Sequence, residues 1–140
     1  MAEQLTVADR LEIQELVARY NWAIDTHDGE GVAATFTADG AFEMGERFIQ
    51  GHEALVGFGS GVHLPPRPAT WGNQHWVTNM VLDGDGERVT ARSYLVRHAV
   101  DGDHKEVATI GHYLDQLVKT DGAWRFTHRL FRYWPPEAKA

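Results

Sequence analysis

The sequence predicts an α+β fold, with helices packed on one face of a curved antiparallel sheet. Three observations carry this. Residues 6–35 show a helical apolar period between cap signals. Residues 73–134 form runs rich in Val, Thr, Ile, Tyr and Trp. Those runs are cut by "DGDG", "DGDH" and "TDG", which are hairpin signals. The chain has 140 residues with no repeat and no low-complexity tract, so a single domain over residues 1–140 is expected.

Thr6 is a candidate N-cap, with Asp9 as its capping-box partner. Ile13, Leu16, Val17, Tyr20 and Ile24 then follow helical spacing. Asp28 and Gly29 stop that helix, and Asp28 caps a short one over residues 30–35. "FTADGAFEMGERFIQG" reads as a turn, a strand from Ala41 to Met44, a tight connection at Gly45-Glu46 and a strand near Phe48. "GHEALVGFGSG" reads as a short helix ended by glycines. "VHLPPRPATWG" is a loop, because Pro65, Pro66 and Pro68 admit neither helix nor central strand. Residues 73–83, 87–100, 105–119 and 123–134 read as a four-stranded meander.

Composition narrows the function. The absence of cysteine excludes disulfides, thiolate metal sites and a cysteine nucleophile, and it fits a reducing cytoplasm. The net charge of −7 and the lack of a basic run argue against a nucleic-acid partner. No apolar stretch is long enough for a membrane span. The opening "MAEQLTVADR" lacks the basic and apolar regions of a signal peptide, so a cytoplasmic location is expected. There is no HExxH motif and no compact His/carboxylate cluster, so neither a metal nor another cofactor is expected.

Alternation in the meander gives two faces. One holds His75, Val77, Asn79, Val81, Tyr94, Val96, His98, Thr109, Gly111, Tyr113, Asp115, Trp124 and Phe126. The other holds Trp76, Met80, Leu82, Val89, Ala91, Leu95, Ala108, Ile110 and Leu114. The second is the more apolar, while the first mixes aromatic and polar groups as a pocket wall does. A one-residue bulge would exchange the faces, so alternation alone does not decide between them.

The order "YNWAIDTHDGEGVAATFTADGAF", "HWVTN", "GHYLDQLVKTDGAWRF" and then Arg129 resembles the SnoaL-like branch of the nuclear transport factor 2-like superfamily, over nearly the whole chain. The resemblance implies a cone: a curved sheet wraps around the long N-terminal helix and encloses a pocket. It implies that the His75 face looks inward. The other face, with Trp76, Met80, Leu82 and Leu95, would be covered by helices or by a second subunit, giving a homo-oligomer, either dimer or trimer.

The resemblance also implies a catalytic set. Bile-acid 7α-dehydratase, hexachlorocyclohexane dehydrochlorinase and scytalone dehydratase pair an aspartate late in the first helix with a histidine early in the third strand. Asp25 and His75 stand at those places. Tyr20 matches a tyrosine of the bile-acid enzyme, Arg129 an arginine of the dehydrochlorinase, and His98, loosely, a second histidine of scytalone dehydratase. The dehydrochlorinase has a lysine at the position of Tyr20, so its particular reaction is not carried over.

The chemistry stands without the family. A carboxylate accepting from one imidazole nitrogen fixes the tautomer, frees the other nitrogen as base and stabilises the imidazolium that forms. The bland readings are a solvated helix-end aspartate, a core histidine, a core tyrosine at Tyr20 and an Arg129 that simply pairs with Asp115. His27, His52, His63, His104, His112 and His128 read as surface or structural. Trp22, Phe48, Phe58 and Trp71, with Tyr94, Val96, Gly111 and Tyr113, are expected to line a cavity for a small apolar ring-bearing substrate.

The expectation is thus a cofactor-independent lyase of dehydratase type. An isomerase or aldol-type cyclase would use the same dyad. The other classes are a non-catalytic binding or assembly module, favoured by a filled cone, and a ring-hydroxylating dioxygenase small subunit, which would need a large partner.

Overall fold

The computed structural model describes residues 3–136. It is an α+β fold in which α1 (Val7–Asp25), α2 (Gly29–Ala34) and α3 (His52–Ser60) accompany a curved, unclosed six-stranded sheet. The strands are β1 (Phe36–Met44), β2 (Arg47–Gln50), β3 (Trp71–Gly84), β4 (Arg88–Asp101), β5 (His104–Thr120) and β6 (Ala123–Tyr133). Their spatial order is β2-β1-β6-β5-β4-β3. The meander and its turns stand as expected. In the "TDG" turn both Asp121 and Gly122 have positive φ, as a tight hairpin requires.

The sequence reading missed how the sheet is extended. The segment from Phe36 forms a strand parallel to β6, pairing Phe36 with Phe126 and Ala41 with His128. The ladder shifts between those pairs, so residues 37–40 bulge out of it. Turn-forming "TADG" is that bulge, inside a strand rather than before one.

Helix α1 begins as its residues dictate. Thr6 Oγ1 accepts from the Asp9 amide at 3.0 Å, and the Thr6 amide donates to Asp9 Oδ2 at 3.0 Å. The same carboxylate also accepts from Trp124 Nε1 and from Lys119 Nζ, both at 3.0 Å, so it ties the helix start to β5 and β6. The Thr6 amide foremost, then the Trp124 indole, hold the Asp9 carboxyl well below the usual carboxylate range. A depressed carboxyl stabilises the fold above its unfolded value near ~4, and that contribution is lost as pH falls through the folded value. Asp9→Ala is therefore expected to cost about 2–4 kcal/mol in urea unfolding at neutral pH, and Asp9→Asn to flatten the acid limb of the stability curve below pH ~4. Wild-type stability in both variants would refute this account.

Residues from α1 and the concave side of the sheet make the core. Ile13, Val17, Tyr20 and Ala23 pack with Val89, Ala91, Leu95, Leu117, Phe126 and Phe131. This corrects the two-face reading. Asn79 takes a positive φ, and the β3–β4 register shifts between Thr78 and Val81. Before that bulge His75 and Val77 face inward; after it Met80 and Leu82 do. On β4, His75 pairs with Arg97 and Val77 with Leu95, so the odd-numbered residues turn inward. Directly paired residues share a face, so Tyr94, Val96 and His98 lie on the convex side with Trp76.

Candidate active site

Three regions converge on one cavity of about 250 Å³ on the concave side of the sheet. The last turns of α1 supply Tyr20 and Ile24, the α3 region supplies Phe58, His63 and Arg67, and the inner sheet face supplies His75, Leu95, Arg97, Thr109, Tyr113 and Phe131. Phe42 stacks on Phe58 with ring centroids 4.8 Å apart, and Phe58 stacks on His63 at 5.6 Å. Aromatic and aliphatic surface predominates, broken by a few polar groups, which is the usual make-up of a small-molecule site.

Asp25 is the last residue of α1, and His75 lies near the start of β3. The Asp25 carboxylate accepts twice from His75. Oδ2 takes the backbone amide at 2.9 Å, and Oδ1 meets ring Nδ1 at 2.5 Å. Each side chain is 14% exposed. An ionised carboxylate only accepts, so Nδ1 is the nitrogen that carries the proton, and in the neutral ring Nε2 is then the free acceptor. The ring forms part of the cavity wall. The contact to the peptide amide sets the carboxylate's angle as well as its distance, so helix end and strand are locked at this point.

Tyr20 and Tyr113 also line the cavity and are almost wholly buried. Burial raises both phenols, Tyr113 to about 12, so each is a proton donor at neutral pH and not a base. Behind them lies Arg129, 0% exposed. Its guanidinium donates to Asp115 through Nε at 2.9 Å and through Nη2 at 3.1 Å. It packs against the faces of Tyr113, Tyr20 and Phe126 at 3.7, 4.5 and 4.5 Å. Arg129 thus backs the two phenols from outside the cavity lining.

The other expected lining residues divide. Phe58 and Trp71 line the cavity. Gly111 sits beside it: a side chain there would run into the Phe131 ring, so the glycine makes room for a lining residue. Trp22 and Phe48 are corrections, 75% and 57% exposed, on the solvent side of α1 and on the edge strand β2. Tyr94, Val96 and His98 are corrections too, since the β3–β4 register turns them outward; the His98 ring lies 4.2 Å from that of Trp76. Conversely, His27 and His63, read as surface or structural, line the cavity, as do Arg47, Arg67 and Arg97. No period or spacing announces them, because loops and register bring them in. Among the described residues no group of three or more His, Asp or Glu side chains is placed to hold a metal ion. No helix there is long and apolar enough to cross a membrane.

Comparison with known proteins agrees with this fold. The family model described as a SnoaL-like domain matches residues 5–130. An Asp-to-Asn variant of Rv3472, a protein of unknown function from Mycobacterium tuberculosis, is 35% identical, with a TM-score of 0.80 over 90% of this chain and 72% of that one. A protein of unknown function with a cystatin-like fold from Nostoc punctiforme is 32% identical, with a TM-score of 0.80 over 94% and 96% of the two chains. A protein from Catenulispora acidiphila, solved in complex with S-DNPA, is 27% identical, with a TM-score of 0.80 over 91% and 95%.

Proposed function

The chain belongs to the SnoaL-like domain family, which includes dehydratases, cyclases and isomerases, and from that premise we propose that it is a cofactor-independent lyase of dehydratase type acting on a small ring-containing substrate. The observation that carries the reading is the double contact of Asp25 with His75 at the wall of a largely apolar cavity. His75 Nε2 removes a proton from carbon or from a hydroxyl. Asp25 holds the tautomer and offsets the imidazolium charge. The Tyr20 and Tyr113 phenols donate to the departing hydroxyl or halide, or to a carbonyl oxygen gaining charge. Arg129 acts through them, holding both rings in place. His98, on the convex face, takes no part.

The open cavity favours this reading over a filled binding module. Isomerisation or cyclisation would use the same base and donors. The tautomer is the first test: ¹⁵N NMR of the His75 ring should show Nδ1 protonated and Nε2 bare in wild type, and Asp25→Asn should lose that preference. A mixed tautomer in wild type would remove the main support.

The convex sheet face supports assembly as a homo-oligomer, dimer or trimer. Met80, Leu82 and Leu95, expected there, pack inward. Trp76, Val81, Tyr94, Ile110 and Trp134 nevertheless leave an exposed apolar surface on that side. Light scattering at micromolar protein should give a mass above that of one chain, and Trp76→Glu should lower it. A monomer mass for wild type would refute the assembly.

A further inference from the structure

The cavity is more cationic than its chain. Arg47, Arg67 and Arg97 line it together with His27, His63 and His75, and no Asp or Glu is among the lining residues. The whole protein carries a net charge of −7. None of these three arginines has a carboxylate within ion-pair distance among the described residues. Arg47 lies over the Phe58 ring at 5.4 Å and Arg67 over the Trp71 ring at 4.5 Å, both exposed at the mouth. Burial, then the charge of Arg47, hold the His63 ring below its ordinary value.

Arg97 lies deeper and is half-buried. It is the direct cross-strand partner of His75 on one side and of Thr109 on the other, all on the concave face. Its Nη2 donates to Thr109 Oγ1 at 3.1 Å and its Nη1 to Asn73 Oδ1 at 3.4 Å. Both acceptors are neutral. They aim the guanidinium without cancelling its charge and leave it about three of its five N–H donors. A half-buried cation with only neutral partners carries a desolvation cost that a bound anion would offset. Directly opposed strand residues set their Cβ atoms about 4.5–5.5 Å apart, so Arg97 and His75 project side by side from the concave face into the same cavity.

We infer that the cavity's substrate is a ring compound bearing a carboxylate, bound by Arg97, with Arg47 and Arg67 drawing the anion to the mouth. This deepens the lyase reading and rests on that cavity being the substrate site. The guanidinium fork matches a carboxylate in two parallel hydrogen bonds, which sets one edge of the ring against His75. The phenols of Tyr20 and Tyr113 face the other end as donors. Arg97 is thus a specificity-determining residue that the dyad alone does not reveal.

The test is isothermal titration with two probes of one shape, 2-naphthoate and 2-naphthamide. Wild type should bind the carboxylate at least about tenfold more tightly at low salt, with the margin narrowing as salt rises. Arg97→Gln should erase the margin and leave naphthamide affinity within about twofold, and Arg97→Lys should restore part of it. Arg19→Gln, on the solvent side of α1, should change nothing. Equal binding of the two probes by wild type overturns the inference. So does a margin that survives Arg97→Gln, or failure of 2-naphthoate to bind at millimolar concentration. His75→Ala should keep the margin, since binding needs no base. A dyad that proves inert to substitution while the margin holds would sink the lyase reading and leave the carboxylate site standing.

Discussion

Asp25→Asn is expected to lower kcat by about 10²–10⁴-fold, and His75→Ala by at least as much, on whichever substrate a screen of hydroxylated or halogenated ring compounds returns. The asparagine is close in shape, and its oxygen can still accept the His75 backbone amide that Asp25 Oδ2 binds at 2.9 Å. What it loses is the charge that stabilises an imidazolium and the acceptor that keeps the proton on Nδ1. The loss should therefore fall on kcat more than on KM, as for an interaction made chiefly in the transition state. His75→Ala should leave ligand affinity within about tenfold. In wild type the rate should rise with pH on the acid limb, because the base must be unprotonated to act. Either variant retaining activity within about threefold would mean that the dyad is not the catalytic base.

The second large effect concerns stability. Asp115 and Arg129 form a bidentate pair with both side chains fully buried. Burial pushes the Asp115 carboxyl up, and the Arg129 guanidinium pulls it back. Asp115→Asn should cost about 3–5 kcal/mol in urea unfolding, because an arginine stays charged and is left without its counter-ion. The double change Asp115→Leu with Arg129→Met should recover much of that loss, since apolar replacement avoids burying charge at all. Such a double variant should still fold yet bind ring ligands less well, because Tyr20 and Tyr113 lose the cation that holds their rings at 4.5 and 3.7 Å. A cost for Asp115→Asn below ~1 kcal/mol would show the pair to be solvated or dispensable.

These two pairs show different degrees of legibility. Asp25 and His75 stand fifty residues apart in sequence, and what singles them out is a resemblance together with the logic that an imidazole base needs an orienting carboxylate. The same resemblance points to Arg129, for which pairing with Asp115 is the bland alternative. Its seat behind Tyr20 and Tyr113 was not legible, because a cation on a strand reads equally as pocket, edge or core until its neighbours are known. Arg97 went unread for a further reason. It alternates with His98 on β4, and one residue of register decides which of them faces His75.

The sequence by itself determined the local elements. The Thr6/Asp9 box, the Asp28 cap of α2, the proline-rich loop and the Asp-Gly turns each act within a few residues, so their geometry follows from the residues present. It also determined the α+β class, since helical and two-residue periods are separate along the chain. The tertiary structure alone decided which strand faces look inward, how β1 joins β6 in parallel and which cations enter the cavity. Each of these depends on pairing between distant segments. A positive φ at Asn79 shifts one ladder, and everything beyond it changes side. Period-two alternation repeats identically on either side of such a bulge, so no local pattern records which face becomes the wall of the cavity.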